Sequence, residues 1–142
     1  MTELDHVYTL EKSPDETFAA IVDLDRIVPA VQGGSITERT GEDSAEAEIL
    51  VSMGAMSMKF VGTVEVIEKN PADHRAVLRI KSRETQGQGY ANADVTFTMN
   101  GTEGNVHTSA QINGKAASMG EGVVKAVLDA LIKNFTSKLS AL

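Results

Sequence analysis

Five segments in the middle of the chain alternate apolar and polar residues at every second position. The alternating runs are 45–51, 58–66, 76–80, 91–99 and 106–112. Successive side chains of a β-strand point to opposite faces, so a period of two predicts strands with one buried and one wetter face. Turn-forming sequences separate several of these runs, at 40–43, 69–73 and 100–104. Such short connections are typical of antiparallel neighbours and predict a meander.

A strand-like run at 4–10 precedes this region, and helical patterns lie on both sides of it. Ser13 is a candidate N-cap, Pro14 stands at the first helical position, and two acidic residues follow it in the first turn. Segment 23–31 has the pattern of a second short helix, which we expect Pro29 to break. Near the C-terminus, apolar residues recur every three or four positions, which predicts an amphipathic helix of roughly 20 residues.

The order of these elements predicts an α+β fold: one strand, two short helices, about six further strands and one long helix. A helix of that length cannot bury its wide apolar stripe alone, and the dry face of the sheet is the available partner. We therefore expect a curved antiparallel sheet wrapped around the long C-terminal helix. The length suits a single domain, which we predict to span residues 1–142.

The predicted inner face of the sheet is rich in small residues, namely Ala45, Ala47, Gly62, Ala91, Ala93 and Ala110. The sequence has no Trp and only 4% aromatic residues, so the large rings that fill many cores are scarce. Met53, Met56 and Met58 lie close together, and flexible methionine side chains suit an irregular apolar guest. These features favour an apolar ligand pocket, with a filled core under a closer helix as the alternative.

We predict that apolar side chains from the strands and from the long helix line this pocket. The predicted lining residues are Ala47, Ile49, Val51, Met56, Met58, Phe60, Leu78, Ile80, Ala91, Ala93, Val95, Phe97, Ala110, Val123, Val127 and Leu131.

The titratable residues do not form a recognisable catalytic or metal-binding pattern. We expect His6, His74 and His107 on turns or on outward strand faces, and they lack the paired spacing of a metal site. Asp94 and Glu84 are the acids expected nearest the cavity mouth, and solvated surface charges are the simpler interpretation. The sequence also has no cysteine, which excludes thiolate chemistry. We predict no catalytic residue, no metal and no cofactor.

Net charge and hydropathy argue against two kinds of partner, nucleic acids and membranes. The formal net charge of −7 repels phosphate backbones, so we expect no nucleic-acid binding. It also opposes adsorption to anionic membranes, which leaves at most peripheral membrane contact. The first residues lack the basic start and apolar core of a signal peptide, and no apolar run approaches the roughly 20 residues of a membrane span. We therefore predict a cytoplasmic protein.

Glycines suggest where a guest enters the pocket. We expect Gly120 and Gly122 in the first turns of the long helix, where glycine weakens the helix and allows it to fray. Gly87 and Gly89 give similar freedom to a loop between strands. The alternative interpretation is that these glycines only permit tight turns or close packing.

Four stretches of the chain resemble the CoxG family of carbon monoxide dehydrogenase subunits, within the START-like (SRPBCC, polyketide cyclase-like) superfamily. They are Ile27–Gly34, Gly54–Gly62, Gly87–Ala93 and Gln111–Gly120. The resemblance implies a helix-grip (START/Bet v 1-like) fold with an apolar pocket. It also implies an accessory protein that serves a molybdenum-containing carbon monoxide dehydrogenase or related hydroxylase. Such proteins recruit the enzyme to the membrane or handle a quinone or other lipid-like molecule.

Three functions are compatible with this interpretation. The favoured one is non-catalytic binding of an apolar molecule, because the predicted pocket wall has few polar residues. The second is a cyclase or aromatase that uses the same pocket with an acid or Tyr90, although such chemistry needs converging polar groups. The third is a docking protein that binds an oxidoreductase and holds no ligand.

Overall fold

The computed structural model describes residues 2–53, 55–139 and 142. Its elements are β1 (Thr2–Thr9), α1 (Pro14–Ile21), α2 (Leu24–Ala30), β2 (Gly34–Gly41), β3 (Ser44–Met53), β4 (Met56–Asn70), β5 (Arg75–Glu84), β6 (Gly89–Asn100), β7 (Glu103–Gly114), α3 (Lys115–Ser118) and α4 (Glu121–Leu139). Gly54, part of the second stretch that resembles the family, lies outside the described residues, as does the side chain of Met53.

The described strands form one antiparallel sheet in the order β1-β7-β6-β5-β4-β3-β2. Consecutive strands from β2 to β7 are neighbours, which confirms the predicted meander. β1 and β2 lie at opposite edges, and the two short helices connect them. A register shift between Val66 and Glu68 in β4 marks a bulge, which bends a strand and increases its twist.

Helix α1 begins where the sequence predicts. The hydroxyl of Ser13 accepts a hydrogen bond from the backbone N–H of Glu16 at 3.1 Å, and Pro14 is the first helical residue. The expectation for the second helix was wrong, because Pro29 does not break α2, which continues to Ala30. Pro29 lacks the N–H that would bond the carbonyl of Asp25, and the helix ends one residue beyond it, so little helix is left to be disturbed.

The register places short side chains next to one another on the inner face of the sheet. One row across five strands consists of Ala47, Gly62, Ser82, Ala91 and Ile112. The adjacent row consists of Ala45, Val64, Ile80, Ala93 and Ala110. At Gly62 even a methyl group is excluded, since a Cβ there would lie 1.9 Å from the carbonyl oxygen of Lys81. The alanine and glycine positions of these rows are therefore shallow, and they leave depth between the sheet and the helix that covers it.

Helix α4 packs on this inner face, as the amphipathic pattern predicts. The rings of Phe97 and Phe135 meet edge to face with centroids 6.0 Å apart. The helix begins at Glu121, and Gly120 between α3 and α4 has a φ of +99°. The expected place of Gly120 in the first helical turns is therefore wrong. An alanine at this positive φ would strain the backbone rather than strengthen the helix.

A partly buried contact joins the first strand to the last helix. Nε2 of His6 on β1 lies 2.7 Å from Oδ1 of Asp129 on α4, and the His6 side chain is only 9% exposed. Nζ of Lys133, one turn further along α4, lies 3.0 Å from the other oxygen of the same carboxylate. The sequence interpretation, which placed His6 on an outward face or a turn, is corrected. β1 turns this face toward α4, so the imidazole bridges two ends of the chain.

The Asp129 carboxylate contributes to stability in a pH-dependent way. Lys133 and, to a smaller extent, His6 hold the pKa of Asp129 below its ordinary value of 3.8. A carboxyl group whose pKa is lower in the folded than in the unfolded state stabilises the fold above its ordinary pKa. That stabilisation is lost as the pH falls through the folded-state pKa.

We expect Asp129→Asn to lower the Tm at about pH 7 and to have less effect at about pH 2, because the stabilisation by the wild-type carboxylate is lost as the pH falls through its lowered folded-state pKa. Thermal unfolding followed by circular dichroism at both pH values measures the difference. Glu11→Gln, which alters an exposed acid before α1, is the control and should shift the Tm little at either pH. An equal loss of Tm at both pH values for Asp129→Asn would contradict the charge-based explanation.

Candidate functional site

A cavity of about 290 Å³ lies between the inner face of the sheet and the helices α2 and α4. Small-molecule pockets have volumes of roughly 300–1,000 Å³, so this cavity lies just below that range. Buried side chains of the described residues form two clusters, one around Phe97 and Phe135 and one around Met58 and Val124. Residues of both clusters take part in the wall, so the cavity lies where the two halves of the core meet.

Helix α4 closes the cavity with one apolar stripe, formed by Val124, Val127, Leu128, Leu131, Ile132 and Phe135. Intervals of three and four residues place these side chains on a single helical face. Opposite them lie the small residues Ala47, Gly62, Ala91, Ala93 and Ala110 of the sheet. The cavity exists because these short side chains do not reach the helix.

Most residues that the sequence analysis assigned to the lining lie on the cavity wall. The wall contains Ala47, Ile49, Val51, Phe60, Leu78, Ile80, Ala91, Ala93, Val95, Phe97, Ala110, Val127 and Leu131. Met56, Met58 and Val123 lie outside it. Whether the wall residues contact a ligand stays a prediction.

The three exceptions have simple geometric causes. Val123 is 41% exposed, because a rotation of about 100° per residue places it beyond the border of the apolar stripe. Met58 is 3% exposed and packs beside Val51 and Phe60, where it fills the core instead of facing the cavity. Met56 packs against the same cluster. These methionines adapt to irregular neighbours inside the protein, which is the other common use of a flexible side chain.

Polar groups on the wall are few, and most have partners within the protein. Oγ of Ser82 donates a hydrogen bond to the carbonyl of Ala91 at 2.6 Å, and Oδ1 of Asn92 accepts one from the backbone N–H of Ser82. Glu48 forms an ion pair with Lys59 at 3.2 Å. Thr63 is exposed, and Thr108 is buried. The surface offered to a guest is therefore almost entirely hydrocarbon.

The acids expected near the cavity mouth have structural roles elsewhere. Asp94 accepts two hydrogen bonds from the Arg79 guanidinium, at 2.9 and 3.0 Å, and this interaction is the main reason that the pKa of Asp94 is lowered. Glu84 is 6% exposed, and its carboxylate accepts hydrogen bonds from the backbone N–H groups of Gln86 and Gln88. Glu84 thereby fixes the β5–β6 loop. Neither acid lies on the wall.

The histidines also lie off the wall, each beside an acid. Nε2 of His74 lies 2.6 Å from Asp15, and Nδ1 of His107 lies 2.7 Å from Asp5 on the outer side of β1 and β7. His6 faces Asp129 instead, as described above. Within residues 2–53, 55–139 and 142, no group of three or more His, Asp or Glu side chains could hold a metal ion.

Sequence reasoning missed several parts of the wall. On α4 and the sheet the prediction omitted Val124, Leu128, Ile132, Phe135, Val64, Val106 and Ile112. Ile27, Val28 and Val31 reach the cavity from α2 and the residue after it, because the short helices pass over the inner face between β1 and β2. Their apolar spacing was visible in the sequence, but the element that they would cover was not. Thr108 was also missed, although a polar residue at an inward position of an alternating run was a usable signal.

A long helix gripped by a curved antiparallel sheet, with an apolar cavity between them, defines the helix-grip (START/Bet v 1-like) class. Solved structures show this same fold. A conserved protein from Geobacillus kaustophilus superposes with a TM-score of 0.83 at 21% identity, over 99% of this chain and 93% of that one. The Zhui aromatase/cyclase from Streptomyces sp. R1128 gives 0.63 at 13% identity, over 99% and 92%. Ginseng major latex-like protein 151 from Panax ginseng gives 0.57 at 9% identity, over 96% and 95%.

The sequence places the chain more narrowly within this class. Residues 8–141 match the model of CoxG, a family of carbon monoxide dehydrogenase subunits, so the chain belongs to that family. The resemblance stated from the four sequence stretches is thereby confirmed. A comparison with curated proteins found no match. In the part of the chain that the structure describes, no helix is both long and apolar enough to cross a membrane.

A bulky side chain should distinguish an open cavity from a filled core. Ala91 lies on the wall, so the indole of Ala91→Trp should occupy the cavity, abolish uptake of an apolar fluorescent probe and change the Tm little. Ala45 lies in the adjacent row but is 0% exposed and off the wall. Ala45→Trp, the matched control, should overpack the core and cost about 1–3 kcal/mol or more. Similar large losses of Tm in both variants would show that no cavity is available at Ala91.

Proposed function

We propose that this protein is a non-catalytic accessory protein that binds an apolar molecule, such as a quinone or another lipid-like compound, in the cavity. It assists a molybdenum-containing carbon monoxide dehydrogenase or related hydroxylase from the cytoplasm, with at most peripheral contact to the membrane. The observation that carries the proposal is the almost wholly hydrocarbon wall. An empty apolar cavity forgoes dispersion contacts, and an apolar guest restores them while it leaves water.

The family supports the partner in this proposal. Its name describes CoxG as part of carbon monoxide dehydrogenase, which associates its members with that enzyme. A protein that carries an apolar ligand to an oxidoreductase needs an apolar interior for the ligand and a charged surface that keeps the protein in solution. The apolar cavity and the net charge of −7 fit those two requirements.

A cyclase or aromatase is the second candidate, because the Zhui aromatase/cyclase has the same fold. Several observations count against it. Tyr90, Glu84 and Asp94 lie off the wall, and the carboxylate of Glu48, which lies on it, is ion-paired with Lys59. Acid–base catalysis needs a proton donor or acceptor within reach of the bound molecule, and these residues do not provide one.

The purified protein should carry its guest with it. We expect extraction with chloroform and methanol, followed by mass spectrometry, to recover an apolar compound in near-stoichiometric amount from the wild type. The Ala91→Trp variant, prepared in parallel, should yield little of it. Recovery of equal amounts from both proteins would indicate adventitious lipid. Repeated absence of any compound from the wild type, together with no uptake of added quinone, would favour the docking protein without a ligand.

The partner has a separate test with purified components. We expect the protein to co-elute with a molybdenum-containing carbon monoxide dehydrogenase from the same organism in size-exclusion chromatography. Ala91→Trp leaves the outer surface unchanged and should co-elute equally well. Failure of both proteins to associate with the enzyme, at concentrations well above micromolar, would contradict the accessory role while leaving ligand binding untouched.

A further inference from the structure

Thr108 on β7 differs from the other polar residues of the cavity wall. It is 3% exposed, and its Oγ1 has no hydrogen-bond partner among the described residues. The wall hydroxyl of Ser82, by contrast, is bonded to the carbonyl of Ala91. Buried polar groups are nearly always paired, because an unpaired one loses its bonds to water and gains nothing in return. Thr108 lines the cavity while its Oγ1 is buried and unpaired, so a rotation about χ1 would present the hydroxyl to a partner that arrives in the cavity.

The surroundings of Thr108 make a hydrogen bond at this position effective. Its neighbours across the ladder are Leu4 and Val95, and the residues two positions away on β7 are Val106 and Ala110. These apolar side chains exclude water, and a hydrogen bond is stronger in such a low-dielectric environment. Threonine carries its hydroxyl and methyl groups on the same carbon, so a rotation between staggered conformers exchanges the two groups.

The charges on the wall restrict which ligand group can be the hydrogen-bond partner of Thr108. The wall contains no lysine or arginine among the described residues, so a ligand carboxylate or phosphate would be buried without a counter-charge. Burial of an unpaired charge is far more costly than burial of a neutral oxygen. A carbonyl or hydroxyl oxygen therefore fits this position, whereas the head of a fatty acid does not.

We propose that Thr108 is the polar anchor of the cavity, and that its hydroxyl donates a hydrogen bond to a neutral oxygen of an otherwise apolar ligand. The inference rests on the proposed function and narrows it to neutral, oxygen-bearing apolar molecules. Leu4 and Val95 place the anchored end beside β1, β7 and β6, and the hydrocarbon part of the ligand extends toward the small residues Ala91 and Ala93.

The test pairs an isosteric variant with isosteric probes. Thr108→Val replaces the hydroxyl with a methyl group, and 2-naphthol differs from 2-methylnaphthalene in the same way. We expect Thr108→Val to weaken binding of 2-naphthol by about 3- to 10-fold, the effect of one lost hydrogen bond, and to leave binding of 2-methylnaphthalene unchanged. Calorimetric or fluorescence titration gives the four dissociation constants. Thr108→Ser, which keeps the hydroxyl, should retain the preference for 2-naphthol.

Two controls separate this inference from the proposed function. Thr37→Val, which alters an exposed threonine of β2 that lies off the wall, should change neither affinity. If the wild type binds both probes and Thr108→Val weakens both equally or neither, the anchor is refuted while the cavity stands. If the wild type binds neither probe, both the anchor and the proposed function are refuted. The Tm of unliganded Thr108→Val should not fall, and a clear fall would show that the hydroxyl already has a partner inside the protein.

Discussion

Short side chains on the inner face of the sheet determine the interior of this protein. The small residues Ala47, Gly62, Ala91 and Ala93 are too short to meet helix α4, whose own stripe consists of valine, leucine, isoleucine and phenylalanine. The helix cannot move closer without a collision elsewhere, because Phe135 on the helix rests on Phe97 of the sheet. The cavity thus exists because large residues hold α4 away from the sheet, while small residues form the sheet surface beneath it.

A fold with an unfilled centre needs firm contacts around it. Here the two clusters of buried side chains on either side of the cavity supply the packing that the centre lacks. The His6–Asp129 contact adds a polar interaction between β1 and α4, which are the first and last elements of the chain. Closure of the cavity therefore depends on contacts between residues far apart in sequence, and an opening that admits a guest must loosen some of them.

The fold alone does not decide between a carrier and an enzyme, because aromatase/cyclases and CoxG proteins share it. The placement of polar groups is more informative. Glu48, Glu84, Asp94 and the three histidines are engaged in ion pairs, loop hydrogen bonds or the strand–helix contact. Thr108 is the buried wall residue with an unpaired polar atom among those described. A wall with one buried and unpaired hydroxyl can orient a guest, but it offers little for proton transfer.

The sequence by itself determined most of the elements, β2 and α3 excepted, together with the antiparallel meander and the facing of most strand residues, since a period of two or of 3.6 is a local property of the backbone. Most of the cavity wall followed from that pattern, as Ala91, Ala93 and Val127 illustrate. Only the tertiary structure decided whether an inward side chain lines the cavity, fills the core or lies at the edge of the apolar stripe. Met58 fills the core, Val123 lies beyond the border of the helical stripe, and α2 covers part of the cavity. The pairing of His6 with Asp129 was equally invisible, because it joins residues 123 positions apart whose contact depends on how α4 lies across the sheet.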